Sequence, residues 1–383
     1  MKTMKTDVAI IGAGTAGLNA RREADKAGKS WVLIESGPYG TTCARVGCMP
    51  SKLLIAAANA AYGVGHAEMF GVRVEPRAVT IDGPAVMKRV QTERDRFAGL
   101  TADATRRLPE ERRLHGRARF VGPSTLEVDD HTRVEANAVV LATGSSPVIP
   151  PPFDRVRDEV TTTDTVFEMN DLPASLAVVG TGIIGLELGQ AFHRLGVRVE
   201  FFNPFDDLGP FTDPSVSTCA RQVLGSELTL HLKSEVRSVE RVEGGFRLRF
   251  QTQEGNEAET TFERILVAAG RRPNLGDLDL PQAGLELDRK GLPSWNQWTT
   301  QCGDAPIFLA GDASGHRPLL HEASDEGRIA GANAARHPDV RSHVRREPLA
   351  IAFTEPQMAL VGARFADLDP DEIAVGEVSY EDQ

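Results

Sequence analysis

Cys43 and Cys48 lie in the run Thr42-Cys43-Ala44-Arg45-Val46-Gly47-Cys48-Met49-Pro50-Ser51-Lys52, with four residues between them. Thiols at that spacing can bind a metal, close a disulfide, or lie unrelated in a core. As zinc ligands they are unusually spaced, and no second pair completes a set of four. A helix beginning after Gly40 would set the two cysteines roughly one turn apart. They then close a small disulfide loop if their Cβ atoms approach to about 4 Å. Cys219 and Cys302 read as isolated thiols, so four cysteines in 383 residues do not make a secreted disulfide scaffold. What flanks the pair decides between a redox disulfide and two unrelated thiols.

The flanking elements are dinucleotide-binding ones. Residues 7–11 form a short apolar strand running into Gly12-Ala13-Gly14-Thr15-Ala16-Gly17, and a helix follows to about residue 27. Gly12 permits the tight turn, Gly14 lets the backbone approach a pyrophosphate, and Gly17 allows close helix packing. The helix N-terminus then faces the phosphates. Residues 31–34 supply the next strand and end in Glu35, about 20 residues on, placed to accept from a ribose 2′-hydroxyl. Residues 52–61 read as the remainder of the helix carrying the cysteines, and 84–108 as a second, charged helix. Short strands follow at 119–121, 125–128 and 138–142. The last ends in Ala142-Thr143-Gly144, small residues that let the backbone lie close to a cofactor. Pro147, Pro150, Pro151 and Pro152 then break regular structure and mark a boundary.

The pattern repeats. Residues 176–179 lead into Gly180-Thr181-Gly182-Ile183-Ile184-Gly185, with Glu187 two residues later, a helix to about 195 and a strand over 197–202. Two such units imply two dinucleotides brought together, FAD on the first and a nicotinamide cofactor on the second. The cysteine pair is then a redox disulfide beside a flavin. Asn203 occupies the place of a ribose-binding acid, and no arginine follows to grip a 2′-phosphate. Asp206 and Asp207 would oppose that phosphate, which favours NAD over NADP. Glu187 has the ordinary reading of an exposed helix-face acid, and its position just past the turn over which a nicotinamide would extend also allows a buried ion pair with Lys52 beside the reactive end of the flavin. Residues 227–243 and 246–251 are strand-like and edge the second unit, which closes at Gly270-Arg271-Arg272-Pro273-Asn274. A strand over 307–310 runs into Gly311-Asp312, an acid at a glycine turn suited to the ribityl hydroxyls of FAD. Asp325 and Glu326 read as solvent-facing, and Trp295 and Trp298 as packing residues.

Composition agrees with an enzyme. The 41% hydrophobic and 25% charged content is that of a soluble globular protein of two to three domains. A net charge of −11 counts against nucleic acid as a partner. No run approaches the roughly 20 apolar residues of a membrane span. Residues 1–6 are too short and polar for a secretory signal. A cytoplasmic enzyme with a catalytic disulfide is expected.

The constellation of both glycine turns, Glu35, the Cys43-to-Lys52 run, Ala142-Thr143-Gly144, Glu187, Gly270 to Asn274, Gly311-Asp312 and Phe353-Thr354-Glu355-Pro356 resembles class I pyridine nucleotide-disulfide oxidoreductases. The likeness spans nearly the whole chain, closest to the lipoamide-oxidising branch, and the Ser51-Lys52 ending resembles that branch, mercuric reductase and soluble transhydrogenase more than glutathione reductase. It implies an α/β fold of two Rossmann-like domains, for FAD and NAD(P), the second inserted in the first, plus the start of an α+β interface domain. The implied boundaries are 1–150 and 276–346 for FAD, 151–275 for NAD(P) and 347–383 for the interface start. It makes Cys43 the interchange thiol facing substrate and Cys48 the charge-transfer thiol at the flavin. Lys52 pairs with Glu187, and Thr42 joins the cofactor site. Thr41 stands where the family more often has glycine.

The implied partners are a dithiol or disulfide substrate, a protein-bound lipoyl group among the candidates, and a second copy of the chain once the interface domain is complete. No metal, nucleic acid or membrane partner is expected. The family's interface domain continues further and carries a histidine–glutamate pair. Because His316, His321, His337 and His343 all precede it, a chain stopping at Gln383 is expected to be truncated and impaired in its thiol half-reaction. The alternatives are another NAD(P)H disulfide or metal-ion reductase, mercuric reductase among them, a soluble transhydrogenase, or a flavin-binding fragment without turnover. The transhydrogenase commonly lacks the cysteine pair.

Overall fold

The structure, a computed structural model, describes residues 1–75 and 79–379. Its first unit is built from β1 (Lys2–Ile11), α1 (Thr15–Lys26), β2 (Trp31–Glu35), α2 (Thr42–Arg45), α3 (Cys48–Gly65), α4 (Gly83–Arg106), β3 (Arg113–His115), β4 (Ala118–Phe120), β5 (Thr125–Val128), β6 (Thr132–Leu141) and β7 (Ser145–Pro147). The sheet runs β3-β2-β1-β6-β5-β4. Val8 to Ile11 and Val32 to Ile34 are buried on both faces, as parallel strands covered by layers on each side must be. β1 begins at Lys2, five residues earlier than its apolar core suggests, because Lys2 to Thr6 pair with Thr132 to Ala136. β6 forks: its first half pairs antiparallel with β5, and Val139–Leu141 pair parallel with the late strand Ile307–Leu309.

The second unit contains β8 (Thr161–Thr162), β9 (Ser175–Val179), α5 (Ile183–Arg194), β10 (Arg198–Phe202), α6 (Pro214–Glu227), β11 (Thr229–His231), β12 (Glu235–Val242), β13 (Gly245–Gln251), β14 (Glu257–Phe262) and β15 (Arg264–Val267). A parallel sheet β11-β10-β9-β15-β8 is joined by an antiparallel meander β12-β13-β14. Phe246, Leu248, Phe250 and Phe262 of the meander pack on Ala177, Val179, Phe202 and Ile265. The strand-like stretch expected over 227–243 divides, β11 entering the parallel sheet and β12 the meander. β14 went unseen in the sequence because it is polar and only Phe262 is fully buried.

The chain returns through β16 (Arg271–Pro273), which pairs antiparallel with β7, Arg272 opposite Ser146. β17 (Ile307–Leu309) completes the first sheet, α7 (Leu320–Arg336) covers it, and β18 (Leu349–Ala352) and β19 (Met358–Val361) make a terminal hairpin. The result is an α/β architecture of two Rossmann-type units, the second entered and left through the β7–β16 ribbon. Among the described residues no helix is long and apolar enough to cross a membrane.

α1 and α7 approach closely over a seam of small residues. A Cβ added at Gly327 would lie 2.3 Å from the Ala16 carbonyl oxygen, and one at Gly331 would lie 2.3 Å from that of Ala20. Neither backbone can yield without separating the helices that hold the first glycine turn. Gly331→Ala should therefore lower unfolding free energy by about 1–3 kcal/mol, read from the midpoint of urea denaturation; an unshifted midpoint would contradict this packing.

Candidate active site

The cysteines do not share one continuous helix. α2 ends at Arg45, Val46 and Gly47 break the path, and α3 starts at Cys48. The break is tight: a Cβ on Gly47 would lie 3.2 Å from the Thr42 carbonyl oxygen and 3.3 Å from Cys43 Cα. This folds Cys43 back onto the first residue of an 18-residue helix, and the two thiols hydrogen-bond to each other. Cys43 is half-buried and Cys48 exposed. The pair is asymmetric. The hydrogen bond from Cys43 lowers Cys48 to about 7 against partial desolvation of its sulfur by the surrounding residues, helped by its own backbone N–H and the charge of Lys52, while Glu187 opposes. Cys43, as donor beside that thiolate and partly buried, is pushed well above the ordinary thiol range.

Thr41 holds a φ of +44°, a region that favours glycine, and its hydroxyl caps α2 by accepting from the Ala44 N–H at 3.3 Å. Thr42 is the exposed first residue of that helix.

Lys52 lies one turn beyond Cys48 on α3. Its Nζ is 2.6 Å from Glu187 Oε2, joining α3 to α5. Glu187 is 6% exposed, and its other oxygen accepts from the Phe353 N–H at 2.9 Å. The Phe353 ring lies 4.3 Å from Lys52 Nζ. The terminal segment thus contributes directly to the ion pair, a contact that residue spacing could not reveal.

Gly12, Gly14, Gly17, Glu35, Ala142, Thr143, Gly144, Gly311 and Asp312 gather at the C-terminal ends of β1, β2, β6 and β17. A Cβ on Gly12 would lie 2.2 Å from the Ala142 carbonyl oxygen, and one on Gly17 would lie 1.9 Å from that of Gly12. At Gly14 and Gly144 the added atom would meet nothing within 4 Å, so their open sides leave room for a ligand. Glu35 accepts from the Ala13 and Gly37 N–H groups, both at 2.8 Å, which fixes its carboxylate at the turn. Thr143 Oγ1 is buried with no hydrogen-bond partner. Asp312 accepts from the Ser145 hydroxyl at 2.7 Å. A cradle open along its glycines, with two carboxylates and an orphaned hydroxyl, fits FAD.

The expectation for Glu326 is overturned. It is wholly buried, one oxygen accepting from the Gly311 N–H at 2.8 Å and the other 3.1 Å from Arg345. Buried Glu322 also pairs with Arg345 and, at 3.4 Å, with Arg317. Asp325, paired with Arg328 and Arg346, lies nearer the surface. Helix periodicity over α7 would have separated the two acids; only the buried arginine, 23 residues away in sequence from Glu322, explains why Glu326 faces inward.

The second turn matches the first. A Cβ on Gly180 would lie 2.6 Å from the Ala268 carbonyl oxygen, one on Gly185 would lie 2.2 Å from that of Gly180, and Gly182 is open. Asn203 departs from its expected role. It is 6% exposed, its amide donating to Thr181 Oγ1 and to Asp207 Oδ1 at 2.9 Å while its carbonyl accepts from Phe205 N–H. It therefore pins the following loop from beneath and is not free for a ribose. Asp206 is not a bare charge either, lying 3.0 Å from Lys233 and 3.7 Å from Arg221. A cleft of about 1430 Å³ joins Gly182, Ile183 and Gly270 to Asp312, which fits a nicotinamide cofactor extending from the second unit towards the first. Trp298 lines this cleft, whereas Trp295 packs on the first sheet's core.

Two matching glycine turns, a cleft that joins the second to Asp312 of the first unit, and an asymmetric dithiol on the helices that follow β2 define a flavin-type dithiol/disulfide oxidoreductase. The sequence profile of the pyridine nucleotide-disulphide oxidoreductases matches residues 6–327. The chain is 31% identical to dihydrolipoyl dehydrogenase of Chlamydia pneumoniae over 369 residues, 94% of this chain and 76% of that protein. It is 29% identical to the Bacillus subtilis enzyme of that name over 384 residues, 97% and 81% of the two chains. The fold is similar to the HOCl-induced flavoprotein disulfide reductase RclA of Escherichia coli, solved as its Cu(II) complex, with TM-score 0.79 and 21% identity over 95% of this chain and 78% of that one. The chain belongs to the pyridine nucleotide-disulphide oxidoreductase family, in class I alongside the dihydrolipoyl dehydrogenases. It is an FAD- and NAD(P)-dependent dithiol/disulfide oxidoreductase with a redox-relevant Cys43–Cys48 pair.

The charge of Lys52 favours the Cys48 thiolate and that of Glu187 opposes it. Lys52→Met removes the first and leaves the second, so the pH midpoint for alkylation of Cys48 in the reduced protein should rise by roughly one unit or more. Iodoacetamide rates followed by peptide mass spectrometry measure this, and a midpoint that stays or falls would refute the arrangement.

Proposed function

We propose that the chain oxidises a dihydrolipoyl group, carried on a protein, with NAD+ as final acceptor. The observation that carries this reading is the placement of the thiol pair, with Cys48 at the head of α3 one turn before Lys52 and its buried ion pair with Glu187. Cys43 is the interchange thiol and Cys48 the charge-transfer thiol. With the pair as a disulfide, one substrate thiolate attacks Cys43 Sγ, the Cys43–Cys48 bond breaks, and Cys48 leaves as thiolate. Its lower pKa makes it the better leaving group. The second substrate thiol, losing its proton to solvent, attacks the substrate sulfur joined to Cys43. Cys43 departs and takes up a proton, which its high affinity favours. The substrate has then lost two electrons and two protons, and the pair has gained two electrons and one proton, held on Cys43 and shared with Cys48. Bound FAD and NAD+ supply the two-electron chemistry that restores the disulfide.

Gly12, Gly14, Gly17, Glu35, Thr42, Ala142, Thr143, Gly144, Gly311 and Asp312 serve FAD. Gly180, Gly182, Gly185 and Gly270 serve the nicotinamide cofactor. The β7–β16 ribbon supports the division at 1–150, 151–275 and 276–346, with an interface segment over 347–383, of which residues 380–383 lie outside the described residues. Leu349 and Val361, exposed on the terminal hairpin, support homodimerisation through this segment. A catalytic dithiol supports a cytoplasmic location.

Lipoamide-dependent NADH oxidation by the flavin-loaded protein, against turnover with an artificial acceptor, tests the substrate. Activity only with the artificial acceptor would reject lipoyl oxidation. Cys43→Ser should show a long-wavelength thiolate-to-flavin band without added reductant, and Cys48→Ser should lack it on two-electron reduction; the opposite pattern would reverse the two roles.

NAD preference is supported by the pairing of Arg221 and Lys233 with Asp206, which leaves neither cation free for a 2′-phosphate. Asp206→Asn should raise kcat/KM for NADPH relative to NADH by roughly threefold to tenfold, since these are partly exposed charges. An unchanged ratio would remove Asp206 from the specificity argument.

A further inference from the structure

α5 carries Glu187, Gln190 and Arg194 at intervals of three and four residues, hence on one side of the helix. All three are buried, Gln190 at 4% exposure and the Arg194 side chain at 3%. Each meets the backbone of residues 353–355. Glu187 accepts from the Phe353 N–H at 2.9 Å, and Gln190 Oε1 accepts from the Glu355 N–H at 2.8 Å. Gln190 Nε2 donates to the Glu355 carbonyl at 2.9 Å, and Arg194 reaches the same carbonyl at 3.4 Å. Gln190 therefore exchanges with Glu355 the donor–acceptor pair that a neighbouring strand would supply. The clamp is itself braced: Glu227 holds Gln190 at 2.9 Å and Arg194 at 2.6 Å, and Arg194 lies 3.6 Å from the centre of the Tyr62 ring on α3.

We propose that Gln190 is a positioning residue for the redox pair: by clamping Glu355 it aims the Phe353 N–H at Glu187 and so tunes the thiolate at Cys48. The inference rests on Cys48 being the redox thiolate of the reading above. Among the described residues, the charged and titratable groups that act most strongly on Cys48 are Cys43 from α2, Lys52 from its own helix and Glu187 from α5. Arg89 of α4 reaches the same helix only at the Leu53 carbonyl. The terminal segment contributes an N–H and an aromatic ring to this site, while Glu355 is exposed. An N–H bound to Glu187 disperses its negative charge. Without that donor Glu187 opposes the thiolate more strongly and draws Lys52 towards itself, and both effects disfavour charge on Cys48.

The test is the pH dependence of Cys48 alkylation in the reduced, flavin-loaded full chain, resolved from Cys43 and Cys219 by peptide mass spectrometry. Gln190→Leu should raise the midpoint by roughly half a pH unit or more. In a Glu187→Gln background the same change should leave the midpoint where it was, because the coupling runs through the carboxylate. Gln190→Asn, whose amide is too short to reach Glu355, should reproduce the shift and serves in place of a leucine variant that fails to fold. An unmoved midpoint in either folded variant, or a full shift persisting with Glu187→Gln, would overturn the proposal. The titration uses no substrate, so failure of lipoamide turnover and failure of this coupling are separate results.

Discussion

The ion pair between Lys52 and Glu187 is the constraint on which the arrangement of the two units depends. Lys52 belongs to the helix that begins at Cys48, and Glu187 to the helix that begins at the second glycine turn. Glu187 is nearly inaccessible to water, so its charge requires both the ammonium and the Phe353 N–H. An unpartnered buried carboxylate would cost several kcal/mol. The apolar surroundings enforce the meeting: Leu54 and Ala58 of α3 share a core with Leu186, Leu188, Ala191 and Phe192 of α5. The thiol-bearing helix and the nicotinamide-binding unit are therefore locked in one relation. Hydrophobic packing supplies the affinity between the helices, while the ion pair supplies the register.

That lock gives the two cysteines different chemistry from identical side chains. The break at Val46-Gly47 places Cys48 at the start of a long helix, where N–H groups are unsatisfied by the helix itself. Cys43 remains on a four-residue helix and turns back as hydrogen-bond donor. A continuous helix would have set the two thiols in similar surroundings. The glycine at position 47 is thus part of the redox chemistry, since any side chain there would crowd Thr42 and Cys43.

Most of the nucleotide machinery was legible in the sequence because it is local. A glycine turn between a buried strand and a helix is written in consecutive residues, and Gly12, Gly17, Gly180 and Gly185 each stand where a Cβ would strike a backbone carbonyl. What was not legible depends on distant partners. β1 extends back to Lys2 only because β6 pairs with it, and β14 is a polar strand completed by β13. Asn203 occupies the expected strand end, yet its amide is consumed by Thr181 and Asp207. Glu326 has the sequence neighbourhood of a surface acid and lies wholly inside because Arg345 meets it there.

The Glu322–Glu326–Arg345 cluster also explains how the terminal hairpin is held against both units. Two buried carboxylates around one guanidinium would leave a net negative charge, and Arg317, 3.4 Å from Glu322, restores the balance. Burial still raises the proton affinity of Glu326 against the opposing charge of Arg345, so the cluster is stable only while that arginine stays in place. Arg345 lies four residues before β18 and so fixes the entry to the hairpin at the turn that carries Asp312. The loop between β18 and β19 is fixed at α5 by Glu187 and Gln190. One end of the hairpin is therefore tied to the first unit and its loop to the second. A movement that separated the two nucleotide sites would have to break a buried charge cluster or a buried backbone clamp, which argues for a cleft of fixed width.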